Sequence, residues 1–148
     1  MTALNLARPD DLDRLLPLAR ALHEELGKST DDAQLTAALS PLLDGSPHGA
    51  VYTMGPRRAP IGYVVVTFGW SIEHGGLEGW IDEMFIRPGV RGRGLGGEVL
   101  ANLPKALADA GLTCLSLLAP RADDRLQRLY TRARFQPRAG DIVMTRVL

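Results

Sequence analysis

Little in this chain can cross-link it, span a bilayer or attract a polyanion. Its 148 residues contain one cysteine, Cys114, which excludes an intrachain disulfide and fits a reducing, cytoplasmic setting. Cys114 stands in the apolar run 112–118 and is expected to be a buried, inert thiol. Seventeen lysines and arginines balance 17 aspartates and glutamates, so no net field draws the molecule toward nucleic acid or an anionic membrane. No apolar run approaches the roughly 20 residues of a spanning helix; the longest, around 61–68, is strand-sized. Met1-Thr2-Ala3-Leu4-Asn5 lacks the charged-then-apolar pattern of a signal peptide. Three dispersed histidines and one cysteine show no metal-ligand spacing, so no metal is expected. What remains is a globular composition, 45% hydrophobic and 23% charged, at a length that favours one domain, 1–148, with a substantial core.

Periodicity orders the chain. Leu4-Asn5-Leu6-Ala7 predicts a short strand, and Pro9-Asp10-Asp11 opens a helix with acids in its first turn. Leu12, Leu15, Leu16, Ala19, Leu22 and Leu26 share one face of that helix, Gly27 ends it, and Pro17, off the stripe, predicts a kink. Ser29-Thr30-Asp31-Asp32 caps a second helix with Leu35, Ala38, Leu39, Leu42 and Leu43 as its core face. Strands follow at 50–54, 61–70 and 77–86, the first two joined by a turn-rich connection that suits a hairpin. Leu95, Val99, Leu100, Leu103 and Leu107 mark a third helix, with a kink expected at Pro104. Residues 112–118 predict a buried strand, 121–134 a fourth helix, and 135–138 and 142–148 a closing pair of strands. The order β-α-α-β-β-β-α-β-α-β-β is an antiparallel meander followed by one βαβ crossover. It predicts an α/β (α+β) fold, a mixed and mostly antiparallel sheet flanked by helices.

The stretch Val90-Arg91-Gly92-Arg93-Gly94-Leu95-Gly96-Gly97 joins a strand to a helix and carries four glycines in six residues. Glycine lets backbone approach a ligand closely. A helix start offers unpaired N–H groups and partial positive charge, and Arg91 and Arg93 add two cations. The pattern predicts a phosphate-binding cradle. Gly92-x-Gly94-x-x-Gly97 matches the dinucleotide fingerprint literally. However, Arg87-Pro88-Gly89-Val90-Arg91 separates it from its strand, and the 27 residues after Arg121 (122–148) cannot form a second nucleotide-binding half. The Walker pattern fails because no Gly-Lys-[Ser/Thr] follows.

The other frame is Arg91-x-x-Gly94-x-Gly96. Ile86-Arg87-Pro88-Gly89-Val90-Arg91-Gly92-Arg93-Gly94-Leu95-Gly96 resembles the acetyl-CoA signature of the GNAT superfamily of N-acetyltransferases. Asp123-Asp124-Arg125-Leu126-Gln127-Arg128-Leu129-Tyr130, with Phe135 five residues on, is similar to that family's "N…A…LY…GF" segment, again after one helix and one strand. The strong likeness covers about 61–135. Two positions depart from it. Asp123 stands where the family usually has asparagine, a frequent pantetheine contact, and Arg134 replaces the glycine before Phe135, so that turn is expected to take a different backbone.

The resemblance implies acetyl-CoA as cosubstrate and direct acetyl transfer to an amine within a ternary complex. The N–H groups from Arg91, Gly92, Arg93, Gly94, Leu95, Gly96 and Gly97 would receive the pyrophosphate. Met84, Phe85 and Ile86 would line a gap between splayed strands for the pantetheine arm, where a main-chain N–H would polarise the thioester carbonyl. Asp82 and Glu83 are the candidates for taking the ammonium proton. Strand alternation lets only one of them face the acceptor, and Asp82 is favoured because its spacing to Gly94 matches an acid of aminoglycoside-type family members. The alternative is a strand-edge carboxylate in a salt bridge. Tyr130 matches the tyrosine that often protonates the departing thiolate; otherwise it is a packed aromatic on its helix.

His23-Glu24-Glu25 could select a cationic amine, though a solvated helix face is the commoner outcome, and loop His74 is expected to be solvated. Arg121, Arg125, Arg128 and Arg132 form one basic stripe that suits a CoA phosphate, an acidic partner or plain solvation. Without aromatic interleaving or net charge, nucleic-acid binding is not expected. The acceptor is expected to be a small cationic amine or a protein amino group, and the resemblance allows a homodimer. The rival reading is a non-catalytic acyl-CoA-binding or regulatory domain of the same fold.

Overall fold

The computed structural model describes residues 2–148. Strand β1 (Leu4–Leu6) leads through a 3₁₀ turn, Pro9–Asp11, into α1 (Leu12–Glu25) and α2 (Asp32–Leu43). Strands β2 (Gly49–Met54), β3 (Gly62–Ser71) and β4 (Gly76–Ile86) follow, then a 3₁₀ turn at Pro88–Val90, α3 (Leu95–Ala108), β5 (Cys114–Leu117) and α4 (Asp124–Arg132). The five strands form one sheet in chain order, antiparallel from β1 to β4 and parallel between β4 and β5. This is the mixed, mostly antiparallel sheet flanked by helices that periodicity predicts.

Each face of the sheet buries its own aliphatic layer. Leu15, Leu18, Ala19 and Leu22 of α1 and Leu35, Leu39 and Leu43 of α2 pack against Val51, Tyr63, Val65 and Phe85. On the opposite face Val99, Leu100, Leu103 and Leu107 of α3 pack against Met54, Val64, Val66 and Ile81. Covering on both sides explains why Tyr63-Val64-Val65-Val66 is continuously apolar rather than alternating. Pro17 and Pro104 lie within α1 and α3 without ending them. Asp31 caps α2 by accepting from Gln34 N at 2.8 Å, and Gln34 Oε1 accepts in return from Asp31 N at 2.9 Å. The Arg20–Asp32 pair, 2.8 and 3.0 Å, ties the two helices together.

Four expectations change. Leu26, placed on the core face of α1, is 55% exposed because the helix has already ended at Glu25. Strand β5 is the sheet edge, so Cys114 is half-buried rather than buried and Leu118 is exposed. The closing strands at 135–138 and 142–148 do not form, and residues 136–148 are exposed and carry no strand. These residues bury no face, and period-2 apolarity specifies a strand only where one face packs against a core. Arg134 keeps the left-handed backbone that glycine would take, φ 73°, so the turn before Phe135 is not rebuilt.

Candidate functional site

The site forms where β4 leaves its neighbours. Pairing with β5 stops at Ile81–Leu117, so residues 83–86 stay paired with β3 and present an edge that β5 does not cover. On the β3 side Val65 opposes Glu83 and Val66 opposes Ile81. Asp82 is therefore a supernumerary residue, a β-bulge. It shifts the side-chain phase of the strand: Ile81 joins the α3-side core with Met84 and Ile86, whereas Phe85 joins the α1-side core with Tyr63. Strict alternation thus does not hold across Asp82 and Glu83.

Glu83 turns toward α1. One carboxylate oxygen accepts from Tyr63 Oη at 2.9 Å, and the other lies 2.6 Å from His23 Nε2. His23 Nδ1 lies 2.8 Å from Thr30 Oγ1 in the α1–α2 connection. Asp82 lines a cleft of about 220 Å3 with Thr67, Trp80, Ile81 and Leu118. Although Asp82 is solvent-exposed, partial desolvation against the cleft wall first and the Glu83 charge second push its carboxyl upward, while Lys28 and His23 pull it back. Both acids thus feel one electrostatic centre, with Asp82 at the cleft and Glu83 behind it. Tyr63 is fully buried, and burial followed by the Glu83 charge pushes its phenol far up, so it remains a donor.

The glycine turn lies at the far end of the same edge. Gly92 and Gly94 each take φ 79°, and Gly94 is the left-handed residue from which α3 starts. No side chain caps that helix start, leaving first-turn N–H groups available to an anion. Gly96 has another reason: a Cβ there would stand 3.4 Å from Leu129 of α4, so α3 and α4 meet closely at this turn. The two arginines differ. Arg91 is tied back, donating to Ile86 O at 2.8 Å and Glu25 at 2.7 Å, with its guanidinium 5.3 Å from the Phe85 ring centre. Arg93 is exposed and makes no ion pair among the described residues.

Asp123 caps α4, accepting from Leu126 N at 3.0 Å. Tyr130 packs edge-on against Phe135, ring centres 6.1 Å apart, beside Leu129 in the α3-side core. Burial, and next the Asp123 charge, raise its phenol above the ordinary value. Among the described residues no group of three His, Cys, Asp or Glu could hold a metal ion, and no helix is long and apolar enough to cross a membrane.

Periodicity misses the involvement of His23 and Tyr63. The signal for His23 was present: it falls four residues after Ala19 and seven after Leu16, on the apolar stripe of α1. Tyr63 sits in an apolar run that marks it only as core.

A parted mixed sheet with a glycine turn opening a helix at its mouth is the architecture of the N-acetyltransferases. The model of the acetyltransferase (GNAT) family matches residues 13–135, and the chain belongs to that family. Among curated proteins none matches the chain. Among solved structures, an integron cassette protein from the mobile metagenome of Cole Harbour Salt Marsh superposes with TM-score 0.85 at 28% identity, over 98% of this chain and 90% of that one. A ribosomal-protein-alanine N-acetyltransferase from Brucella melitensis biovar Abortus 2308 gives 0.77 at 18% identity, over 99% and 100%. The aminoglycoside N-acetyltransferase AAC(6')-Iy in complex with CoA gives 0.81 at 14% identity, over 99% and 95%. The last two likenesses concern the fold alone.

Proposed function

We propose that the chain, as one domain, transfers an acetyl group from acetyl-CoA directly to a primary amine of a small cationic molecule or a protein. The observation that carries this reading is the bulge at Asp82. It sets two carboxylates at the point where β4 and β5 part, between an acceptor cleft and a helix start fit for phosphate. The uncapped first turn of α3 and the left-handed Gly92 and Gly94 suit a pyrophosphate, with Arg93 as the available counter-charge. The uncovered edge of Met84, Phe85 and Ile86 suits an extended amide-bearing arm, which would pair with it as a strand does. Acetyl-CoA supplies the activated acetyl thioester.

The residues divide the remaining work. Asp82 and Glu83 hold the acceptor ammonium and take its proton; the raised position of Asp82 makes it a better base than a solvated carboxylate. A main-chain N–H on the uncovered edge stabilises the developing oxyanion. Tyr130 stays protonated and can donate to the leaving sulfur. That step runs uphill from a phenol near ~10 to a thiol near ~8.5, so Tyr130 assists best when the sulfur is poorly solvated. The pairing of carboxylates with a cleft lined by Trp80 and Leu118 favours a cation with an apolar body.

Release of free thiol from acetyl-CoA across a panel of polyamines, aminoglycosides and amino-terminal peptides tests the reading. Turnover with a cationic amine is expected, with Tyr130→Phe lowering kcat by about 10- to 100-fold at similar KM. Acetyl-CoA binding without turnover on any amine would leave a non-catalytic acyl-CoA-binding domain instead.

A further inference from the structure

His23 has a partner on each ring nitrogen: Thr30 Oγ1 at Nδ1 and Glu83 Oε2 at Nε2. An ionised carboxylate only accepts, so the proton of the second contact sits on Nε2. A threonine hydroxyl both donates and accepts. It donates to Nδ1 of the neutral ring and accepts from Nδ1–H of the cation. The ring therefore gains or loses its proton with both contacts intact, and the His23–Glu83 unit changes from net negative to neutral as it does so.

The groups around the ring direct that change at the cleft. Asp82 and Glu83 face it from β4; Tyr63, from β3, donates to the second oxygen of Glu83. Lys28 and Thr30 approach from the α1–α2 connection. On α1 itself Glu24 is adjacent, and Glu25 is already paired with Arg91. His23 and Glu83 keep only 12% and 17% of their side-chain surface, so solvent screens their interaction weakly. Asp82, at the cleft, is close enough to both for their charges to act on it.

We propose that His23 is a positioning residue for transfer. Through Glu83 it sets the charge that an acceptor ammonium meets at the β4 bulge, so that a cationic acceptor is attracted while the ring is neutral and loses that attraction once the ring is protonated. This rests on the acyl-transfer reading above.

Two readouts on the full chain test it. The ring resonances of His23, assigned by NMR from their loss in His23→Gln, report the ring's titration midpoint. Glu83→Gln is expected to move that midpoint, because the Nε2 contact of the ring loses its charged acceptor. Steady-state kinetics with an acetylated amine from the panel then give kcat and KM for wild type and His23→Gln from about pH 5 to about pH 8. The ratio between the two chains cancels the amine's own ionisation. It is expected to change about tenfold in KM across the NMR midpoint, with little change in kcat. A ratio independent of pH, or a midpoint that Glu83→Gln leaves in place, overturns the proposal. If His23→Gln does not fold, His23→Asn carries the kinetics, and the NMR comparison needs only Glu83→Gln. If no amine is acetylated, the acyl-transfer reading fails on its own, and the NMR midpoint still decides whether His23 and Glu83 act as one charge unit.

Discussion

Thr53 is 1% exposed in β2, and its hydroxyl has no hydrogen-bond partner among the described residues. A buried hydroxyl left unpaired costs about 1–3 kcal/mol. Valine has the same shape without that group, so Thr53→Val is expected to stabilise the fold by about 1 kcal/mol, read as a higher denaturation midpoint at unchanged m-value. Arg134 poses a backbone version of the same problem. Its φ of 73° follows the end of α4, a conformation that disfavours a residue with a Cβ by about 1–2 kcal/mol. Arg134→Gly relieves this but loosens the unfolded chain. A net gain of about 0.5–1 kcal/mol is expected in the same denaturation assay, and a loss would show that the arginine side chain makes a compensating contact.

The elements that build the site depend on close approach as much as on side-chain chemistry. A Cβ on Gly62 would stand 2.3 Å from Phe85 O and 2.9 Å from Met54 S, so Gly62→Ala must push β3 from β4 at the Ile86 end of the uncovered edge. A destabilisation of about 2–4 kcal/mol is expected, with weaker acetyl-CoA binding by calorimetry. Gly94→Val acts differently: nothing crowds the position, but its left-handed backbone opposes a branched residue. It is expected to raise the acetyl-CoA KM at least tenfold while the thermal midpoint falls only modestly.

Elements of this kind were legible to different degrees. The amphipathic stripes of α1 and α3, the capping pattern before α2 and the strand–glycine turn–helix junction could all be read from local pattern, because each is specified by residues close in sequence. The bulge could not, since a supernumerary residue exists only relative to a partner strand. With it went the orientation of Glu83, the reach of His23 across 60 residues and the recruitment of Tyr63. The tail after Phe135 failed for the opposite reason: its local pattern favours strand, but its residues stay exposed and bury no face against the core.

At the scale of the whole molecule, activity and stability pull in opposite directions at Asp82. Its folded-state pKa is raised, so between the ordinary carboxylate value and the folded one the native state holds more proton than the unfolded chain. Stability therefore falls as pH rises through that window and stays lower above it. Asp82→Asn is expected to raise the thermal midpoint at neutral pH only slightly, because the residue is exposed and solvent screens its charge, and to lower kcat/KM for a cationic amine at least tenfold. An unchanged kcat/KM would place the acceptor elsewhere.

The bulge also sets which kind of genetic change can reach this site. Substitutions at Asp82 alter charge, but they leave the count of residues between Ile81 and Glu83 intact. Removing the residue restores two-residue alternation, keeps Glu83 opposite Val65 on the His23 side, and removes the bend and the carboxylate that the extra residue brings to the cleft. A deletion of Asp82 should thus yield a more regular sheet that keeps the His23–Glu83 contact and loses the cleft carboxylate. The count of residues, and not only their kind, sets the course of β4 here, so a one-codon indel changes this site in a way that no substitution does.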